Sequence, residues 1–188
     1  TAILAGDALQ SLAYELLVDT NSNMPEPSTA LEMISTLATA SGWKGMVGGQ
    51  SLDIDGAGKV KDENELALMH RLKTGALINA SVRLGALSTG LASDQQLRSL
   101  ETFSSCMGLA FQIRDDILDV EGDTETLGKQ QGKDQTMNKP TYPSILGMDG
   151  AVQRMNSLLE EGTLALEGLD GKASNLVGIA HYIIGRQH

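Results

Sequence analysis

The chain has 188 residues, a formal net charge of −10 and one cysteine, Cys106. Its length suits a single domain with a substantial hydrophobic core. The acidic balance argues against a nucleic-acid surface or an anionic membrane surface, since both need a basic patch, and no run is long and apolar enough to predict membrane insertion. A lone cysteine excludes an intrachain disulfide and favours a reducing compartment, so we predict a cytoplasmic protein in which Cys106 is a buried small hydrophobe.

The first part of the chain has helical spacing. Apolar residues recur every three or four positions over residues 3–17, which predicts an amphipathic helix. Residues 21–27 have the composition of a turn. Thr29 and Glu32 then have the spacing of a capping box, which predicts the start of a second helix.

A glycine-rich stretch follows, with four glycines between residues 42 and 49. We predict that they lie inside one helix, where most of them permit close helix–helix packing. For Gly48 and Gly49 the alternative is close approach of the backbone to a ligand, because Gln50 and Asp53 stand beside them.

Two further helix starts are visible downstream. Asp62 and Glu65 have capping-box spacing, as do Ser93 and Gln96, and an apolar stripe follows each pair. A polar loop is predicted over residues 121–139, and two helices close the chain. No segment alternates with the period of a strand, so we predict an all-α fold, a bundle of antiparallel helices.

The most distinctive segment carries three aspartates, Asp115, Asp116 and Asp119, within an apolar helical run. Asp115 and Asp119 are four residues apart and share one face, where like charges destabilise a helix by roughly 0.2–0.5 kcal/mol. Partial burial of carboxylates would destabilise it further unless a cation compensates. Carboxylate oxygens are the ligands that Mg²⁺ prefers, usually together with phosphate. The trio therefore predicts a magnesium site.

Further motifs occur in a fixed order along the chain. They are Gly48-Gly49-Gln50-x-x-Asp53, Lys73-Thr74-Gly75, Phe111-Gln112-x-x-Asp115-Asp116-x-x-Asp119, Gly128-Lys129, Gly132-Lys133-Asp134 and Lys139-x-Thr141-Tyr142-Pro143. In this order they resemble the motifs of the trans-isoprenyl diphosphate synthases, or polyprenyl synthetases, and most closely those of the bacterial short-chain farnesyl diphosphate synthases. The resemblance is co-linear over residues 1–188 and implies an isoprenoid-synthase-type bundle of antiparallel helices.

The resemblance also implies roles for individual residues. Catalytic roles fall to Lys73, Gln112, Asp115 and Lys129. The metal ligands, for Mg²⁺, are the trio described above. The side chains that bind substrate diphosphate are Lys73, Thr74, Gln50, Gln112, Lys129 and Lys139. Asp53 and Asp134 support these side chains without binding the substrate themselves.

The activity implied is prenyl transfer. An allylic diphosphate, dimethylallyl or geranyl, condenses with isopentenyl diphosphate to give farnesyl diphosphate, after Mg²⁺-assisted ionisation of the allylic diphosphate. The resemblance further implies a homodimer, with no nucleic-acid partner and no membrane insertion. A geranylgeranyl or longer-chain synthase stays open as an alternative, because product length is not readable here. A terpene cyclase is disfavoured because the chain has six aromatic residues.

The family also carries a first aspartate-rich motif, upstream of the helix that opens this chain. Residues 1–188 have no counterpart of it. We therefore expect residues 1–188 to be the C-terminal part of a single synthase domain, without its N-terminal helices, and to be inactive alone. A truncated or non-catalytic subunit that acts through dimerisation is the alternative, although retention of Lys73, Asp115, Asp119 and Lys129 favours an enzyme.

Overall fold

The computed structural model describes residues 1–19, 26–56, 62–121, 140–169 and 173–187. Within these ranges the chain is helical and contains no strand, which confirms the all-α prediction. The helices are α1 (Ala2–Val18), α2 (Pro27–Ser41), α3 (Met46–Asp55), α4 (Glu63–His70), a π turn (Arg71–Gly75), α5 (Ala76–Leu87), α6 (Asp94–Glu121), α7 (Tyr142–Ala165), a short 3₁₀ helix (Glu167–Leu169) and α8 (Ser174–Gly185).

Two helix starts form as the sequence predicts. The Asp62 carboxylate accepts hydrogen bonds from the backbone N–H groups of Asn64 at 2.9 Å and Glu65 at 3.0 Å. At the start of α6 the N–H of Ser93 donates to Gln96 Oε1 at 2.9 Å, and the N–H of Gln96 donates to Ser93 Oγ at 3.3 Å. These bonds satisfy N–H groups that have no partner within the first turn of a helix.

The predicted cap at Thr29 is wrong. Helix α2 begins at Pro27, with Glu26 before it. Proline suits the first helical position because no backbone N–H is needed there and its φ is already close to the helical value. The preference of Pro27 for that position therefore outweighs the capping-box spacing of Thr29.

The glycines between residues 42 and 49 do not share one helix, contrary to prediction. Helix α2 ends at Ser41 and α3 begins at Met46, so Gly42 and Gly45 lie in the connection between them. A Cβ on Gly45 would lie 2.1 Å from the carbonyl oxygen of Ala40. The tight turn between the two helices therefore requires glycine at this position.

Helix α6 is the centre of the fold. It packs against α7, α5, α8 and the π turn. Its inward face carries the fully buried side chains of Met107, Leu109, Ile113 and Ile117. Cys106 is buried in the same face, as predicted, and burial raises the pKa of its thiol to about 11, so it packs as a small apolar residue.

Small residues let α6 approach its neighbours closely. A Cβ on Gly108 would lie 2.9 Å from Gly75 Cα, where α6 crosses the π turn. Glycine therefore allows α6 and the π turn to pack closely at this crossing. Among the described residues no helix is both long and apolar enough to cross a membrane.

Candidate functional site

The segment that contains Lys73 and Thr74 is a π turn, Arg71–Gly75, between two α-helices. A π turn holds one more residue than a regular helical turn and occurs often at functional sites. The extra residue changes the direction of every side chain that follows it. Lys73 and Thr74 therefore do not have the side-chain directions of residues on a regular α-helix.

Lys73 is paired with Asp53 of α3. The Lys73 Nζ lies 2.6 Å from Asp53 Oδ2, and Asp53 is only 8% exposed. A carboxylate this buried needs a cationic partner, and Lys73 supplies it while about a third of its own side chain stays exposed. Asp53 thus lies in an ion pair with Lys73, and Gln50 lies half-buried one turn earlier on α3.

Gly49 brings α3 onto the π turn. A Cβ at Gly49 would lie 2.1 Å from the backbone nitrogen of Lys73 and 2.6 Å from its Cα. The two backbones are therefore in direct contact, which is possible only for glycine. Of the two interpretations of Gly49, the structure supports close packing between helices. That packing determines the position of Lys73 relative to Asp53.

A second set of polar groups links the π turn to α6 and α7. Thr74 Oγ1 donates to Gln112 Oε1 at 3.3 Å, and Gln112 Nε2 donates to Asp116 Oδ1 at 3.3 Å. The other carboxylate oxygen of Asp116 accepts the backbone N–H of Tyr142 at 2.9 Å. Three side chains predicted at separate places in the site therefore form one hydrogen-bonded row.

Asp116 has the environment of a structural carboxylate. It is 5% exposed, and its negative charge lies at the N-terminus of α7, where the helix dipole favours an anion. This geometry favours a helix-capping role over the direct metal ligation expected from the sequence.

His70 lies immediately before the π turn, buried against the ring of Tyr142 with ring centroids 5.9 Å apart. Burial, the largest cause, and the positive charge of Lys73 together lower the pKa of its imidazole to about 4, while Asp53 opposes the shift. His70 is therefore neutral at physiological pH. Its role is packing beside the lysine and not charge pairing.

Asp115 lies on a different face of α6 from Asp116. Its Oδ1 accepts a hydrogen bond from Nη2 of Arg186, which follows α8. Asp119, one turn further along α6, is half-buried. Among the described residues, no three His, Cys, Asp or Glu side chains converge closely enough to hold a metal ion.

The donor set still fits a divalent cation bound together with a phosphate ligand. Asp115 and Asp119 share a face of α6 at i, i+4 spacing, and their oxygens suit Mg²⁺. Two carboxylates leave the remaining positions of an octahedral ion to water and phosphate oxygens. Three other predicted site residues, Lys129, Asp134 and Lys139, lie outside the described residues.

Comparison with known proteins identifies the family. The polyprenyl synthetase family matches residues 1–167. The chain belongs to the polyprenyl synthetases. Its sequence is 50% identical to the farnesyl diphosphate synthase of Escherichia coli K12 and 42% identical to that of Geobacillus stearothermophilus, over 98% and 100% of this chain. The chain spans 63% of the length of each of these two relatives.

Solved structures of polyprenyl synthetases have the same fold. A putative farnesyl-diphosphate synthase from Marinomonas sp. MED121 superposes with a TM-score of 0.83 at 43% identity, covering 97% of this chain and 62% of the other. The geranyltransferase of Helicobacter pylori, solved with magnesium and isoprenyl diphosphate, gives 0.78 at 31% identity, with coverages of 98% and 59%. The predicted family and its helical bundle are therefore confirmed.

Sequence reasoning missed two residues that contact or adjoin the predicted site residues. Arg186 follows the apolar helix α8, and nothing in its local sequence names Asp115 as its partner. His70 has a weak signal, since it stands three residues before Lys73 in an apolar stripe. Both contacts depend on how distant helices pack.

Proposed function

We propose that the chain forms the diphosphate-binding part of a prenyltransferase that condenses an allylic diphosphate, dimethylallyl or geranyl, with isopentenyl diphosphate to give farnesyl diphosphate. The observation that carries this proposal is the placement of Lys73 and Thr74 on a π turn beside Gln112 and the acidic face of α6. The relatives named farnesyl diphosphate synthase support the product.

The chemical problem is the ionisation of the allylic C–O bond. Diphosphate leaves slowly unless the charge that develops on it is stabilised more strongly than in the ground state. Lys73 brings a positive charge to this position, and its pairing with the buried Asp53 restricts the ammonium group to one region. The leaving diphosphate would take Lys73 as a close partner, because a compact ammonium group binds phosphate as a point charge.

Neutral polar side chains would orient the bound substrate. Thr74 and Gln112 are already hydrogen-bonded to each other, and Asp116 fixes the Gln112 amide. Such a row fixes the orientation of the Thr74 and Gln112 side chains before the substrate arrives, which lowers the entropy lost on binding. We assign no side chain as the final proton acceptor, since the released diphosphate is itself a base.

We propose Mg²⁺ as the cofactor, held through Asp115 and Asp119. When bound, it would neutralise negative charge on the departing diphosphate. The H. pylori geranyltransferase solved with magnesium and isoprenyl diphosphate supports this choice of ion. Lys129 and Lys139 remain proposed diphosphate ligands, and Asp134 remains a proposed supporting residue.

We also propose a homodimer in the cytoplasm. Ile3, Leu4 and Leu9 of α1 are between 66% and 81% exposed, and helix faces this apolar are usually covered by a partner surface. The single cysteine supports a reducing compartment.

The test is condensation by the polypeptide as its gene encodes it, with any residues before Thr1 included. Asp115→Ala should lower the rate of product formation from geranyl and isopentenyl diphosphates by more than about a hundredfold, with an unchanged circular dichroism spectrum. Arg83→Ala on α5, which removes an ion pair to Glu32 elsewhere in the fold, is the control. Full turnover by Asp115→Ala would refute the metal role, and no turnover by the parent protein would favour the non-catalytic subunit.

A further inference from the structure

The side chain of Arg186 lies flat on helix α6 beside the acidic motif. Its Nη2 donates to Asp115 Oδ1 and to the carbonyl oxygen of Phe111 at 3.2 Å. The guanidinium carbon lies 4.0 Å from the centroid of the Phe111 ring, and only 15% of the Arg186 side chain is exposed. A charge-assisted hydrogen bond and a cation–π contact thus hold one guanidinium against one carboxylate.

The backbone of Arg186 is held by a separate set of bonds. Its carbonyl oxygen accepts hydrogen bonds from Arg114 Nε at 3.0 Å and Arg114 Nη2 at 2.8 Å. Its own N–H donates to the Tyr182 carbonyl at 3.0 Å. These bonds do not involve Asp115. The guanidinium can therefore leave the carboxylate while the segment after α8 stays attached to α6.

Arg186 compensates the negative charge of Asp115, as a bound cation would. Asp115 and Asp119 share a face of α6, and their repulsion is reduced when Asp115 is paired with a positive charge. A guanidinium and a divalent cation on the same carboxylate repel each other, because both sit within a few ångströms of one oxygen. Binding of one at this oxygen therefore opposes binding of the other.

We propose that Arg186 competes with a divalent cation for Asp115: its guanidinium pairs with the Asp115 carboxylate in the cation-free protein and leaves it when a divalent cation binds. The inference rests on the proposed function in one respect, the binding of a cation at Asp115. It adds that the cation must displace an internal competitor. Removing the charge of Arg186 therefore strengthens cation binding, whereas a residue that only orients Asp115 would weaken it when removed.

The first experiment measures Mn²⁺ affinity from the electron paramagnetic resonance signal of free Mn²⁺. Arg186→Gln should bind Mn²⁺ roughly three- to fivefold more tightly than the parent chain, the factor set by the strength of a partly exposed ion pair. Arg83→Gln makes the same change in net charge and removes a comparable ion pair to Glu32. Its affinity should change by no more than about twofold, since salt screens remote charges.

The second measurement follows the Nε–Hε resonance of Arg186 by NMR, identified by its absence in Arg186→Gln. In the parent chain this resonance should shift as Mg²⁺ is added and move towards the position of an unpaired arginine. Equal or weaker Mn²⁺ binding by Arg186→Gln, no Mn²⁺ binding by either protein, or an Arg186 resonance that stays fixed while Mg²⁺ binds would each overturn the proposal.

Asp115→Asn separates this proposal from the proposed function. It should lower Mn²⁺ affinity and also shift the Arg186 resonance without any metal. If Asp115→Asn lowers the affinity while Arg186→Gln leaves it unchanged, the exchange is refuted and the metal role of Asp115 stands. If Asp115→Asn shifts the Arg186 resonance but leaves Mn²⁺ affinity unchanged, the metal role itself fails, and the exchange proposal fails with it.

Discussion

The contact between Gly49 and the π turn gives the sharpest test of how the site is built. In Gly49→Ala the new Cβ would lie 2.1 Å from the backbone nitrogen of Lys73, whereas ordinary contact begins near 3.4 Å. The atoms nearest to the added Cβ all belong to the backbone, so no flexible side chain can move to relieve the clash. Helix α3 must therefore move away from the π turn by about 1.3 Å, the difference between these two distances.

Two losses follow from that movement. Overpacking of this kind costs about 1–3 kcal/mol. A shift of the same size would also stretch the Lys73–Asp53 pair from 2.6 Å to beyond hydrogen-bonding distance, which weakens the interaction of a buried carboxylate with its lysine. We expect the free energy of unfolding to fall by about 3 kcal/mol, which lowers the melting temperature by roughly 6–12 °C in a chain of this size.

The assay combines urea unfolding with the affinity for inorganic pyrophosphate in the presence of Mg²⁺. Gly85→Ala on α5 is the matched control, because nothing lies within 4 Å of its added Cβ. It should leave pyrophosphate affinity unchanged and raise stability by up to about 1 kcal/mol. If Gly49→Ala were as stable as the parent chain and bound pyrophosphate equally well, Gly49 would not position Lys73.

Two further substitutions test the neighbours of the site. Because His70 is neutral in the folded state with a pKa near 4, the unfolded chain binds the extra proton between pH 6.5 and 4, so stability falls as pH falls through this window. Urea titrations should show the parent chain losing about 2 kcal/mol more than His70→Gln between pH 7 and pH 5; parallel losses would refute the buried neutral imidazole. Asp116→Ala should lower the free energy of unfolding by about 2 kcal/mol, since the N–H of Tyr142 loses its acceptor. An unchanged urea midpoint for Asp116→Ala would argue against capping.

The fold class was readable because local patterns and tertiary packing agree. Capping residues such as Asp62 and Ser93 act within a few positions of themselves, so their roles do not depend on distant helices. Predictions failed where two local signals competed, as at Thr29 beside Pro27. They also failed where a helix ends before a glycine although apolar residues follow, as at Gly42.

The amino-acid sequence alone shows that the chain is helical, that it carries the ordered motifs of a polyprenyl synthetase, and that Asp115, Asp116 and Asp119 need compensation for their charges. These conclusions follow from residue type and spacing along one chain, because periodicity and like-charge repulsion are local properties.

Tertiary packing determines how the charges of Asp115, Asp116 and the buried Asp53 are compensated. Asp116 lies at the N-terminus of α7, Asp53 pairs with Lys73, and Asp115 pairs with Arg186. The residues of each pair are between 20 and 71 positions apart in the chain. No local pattern encodes such a choice, since ion pairing depends on which helix faces meet when the core packs.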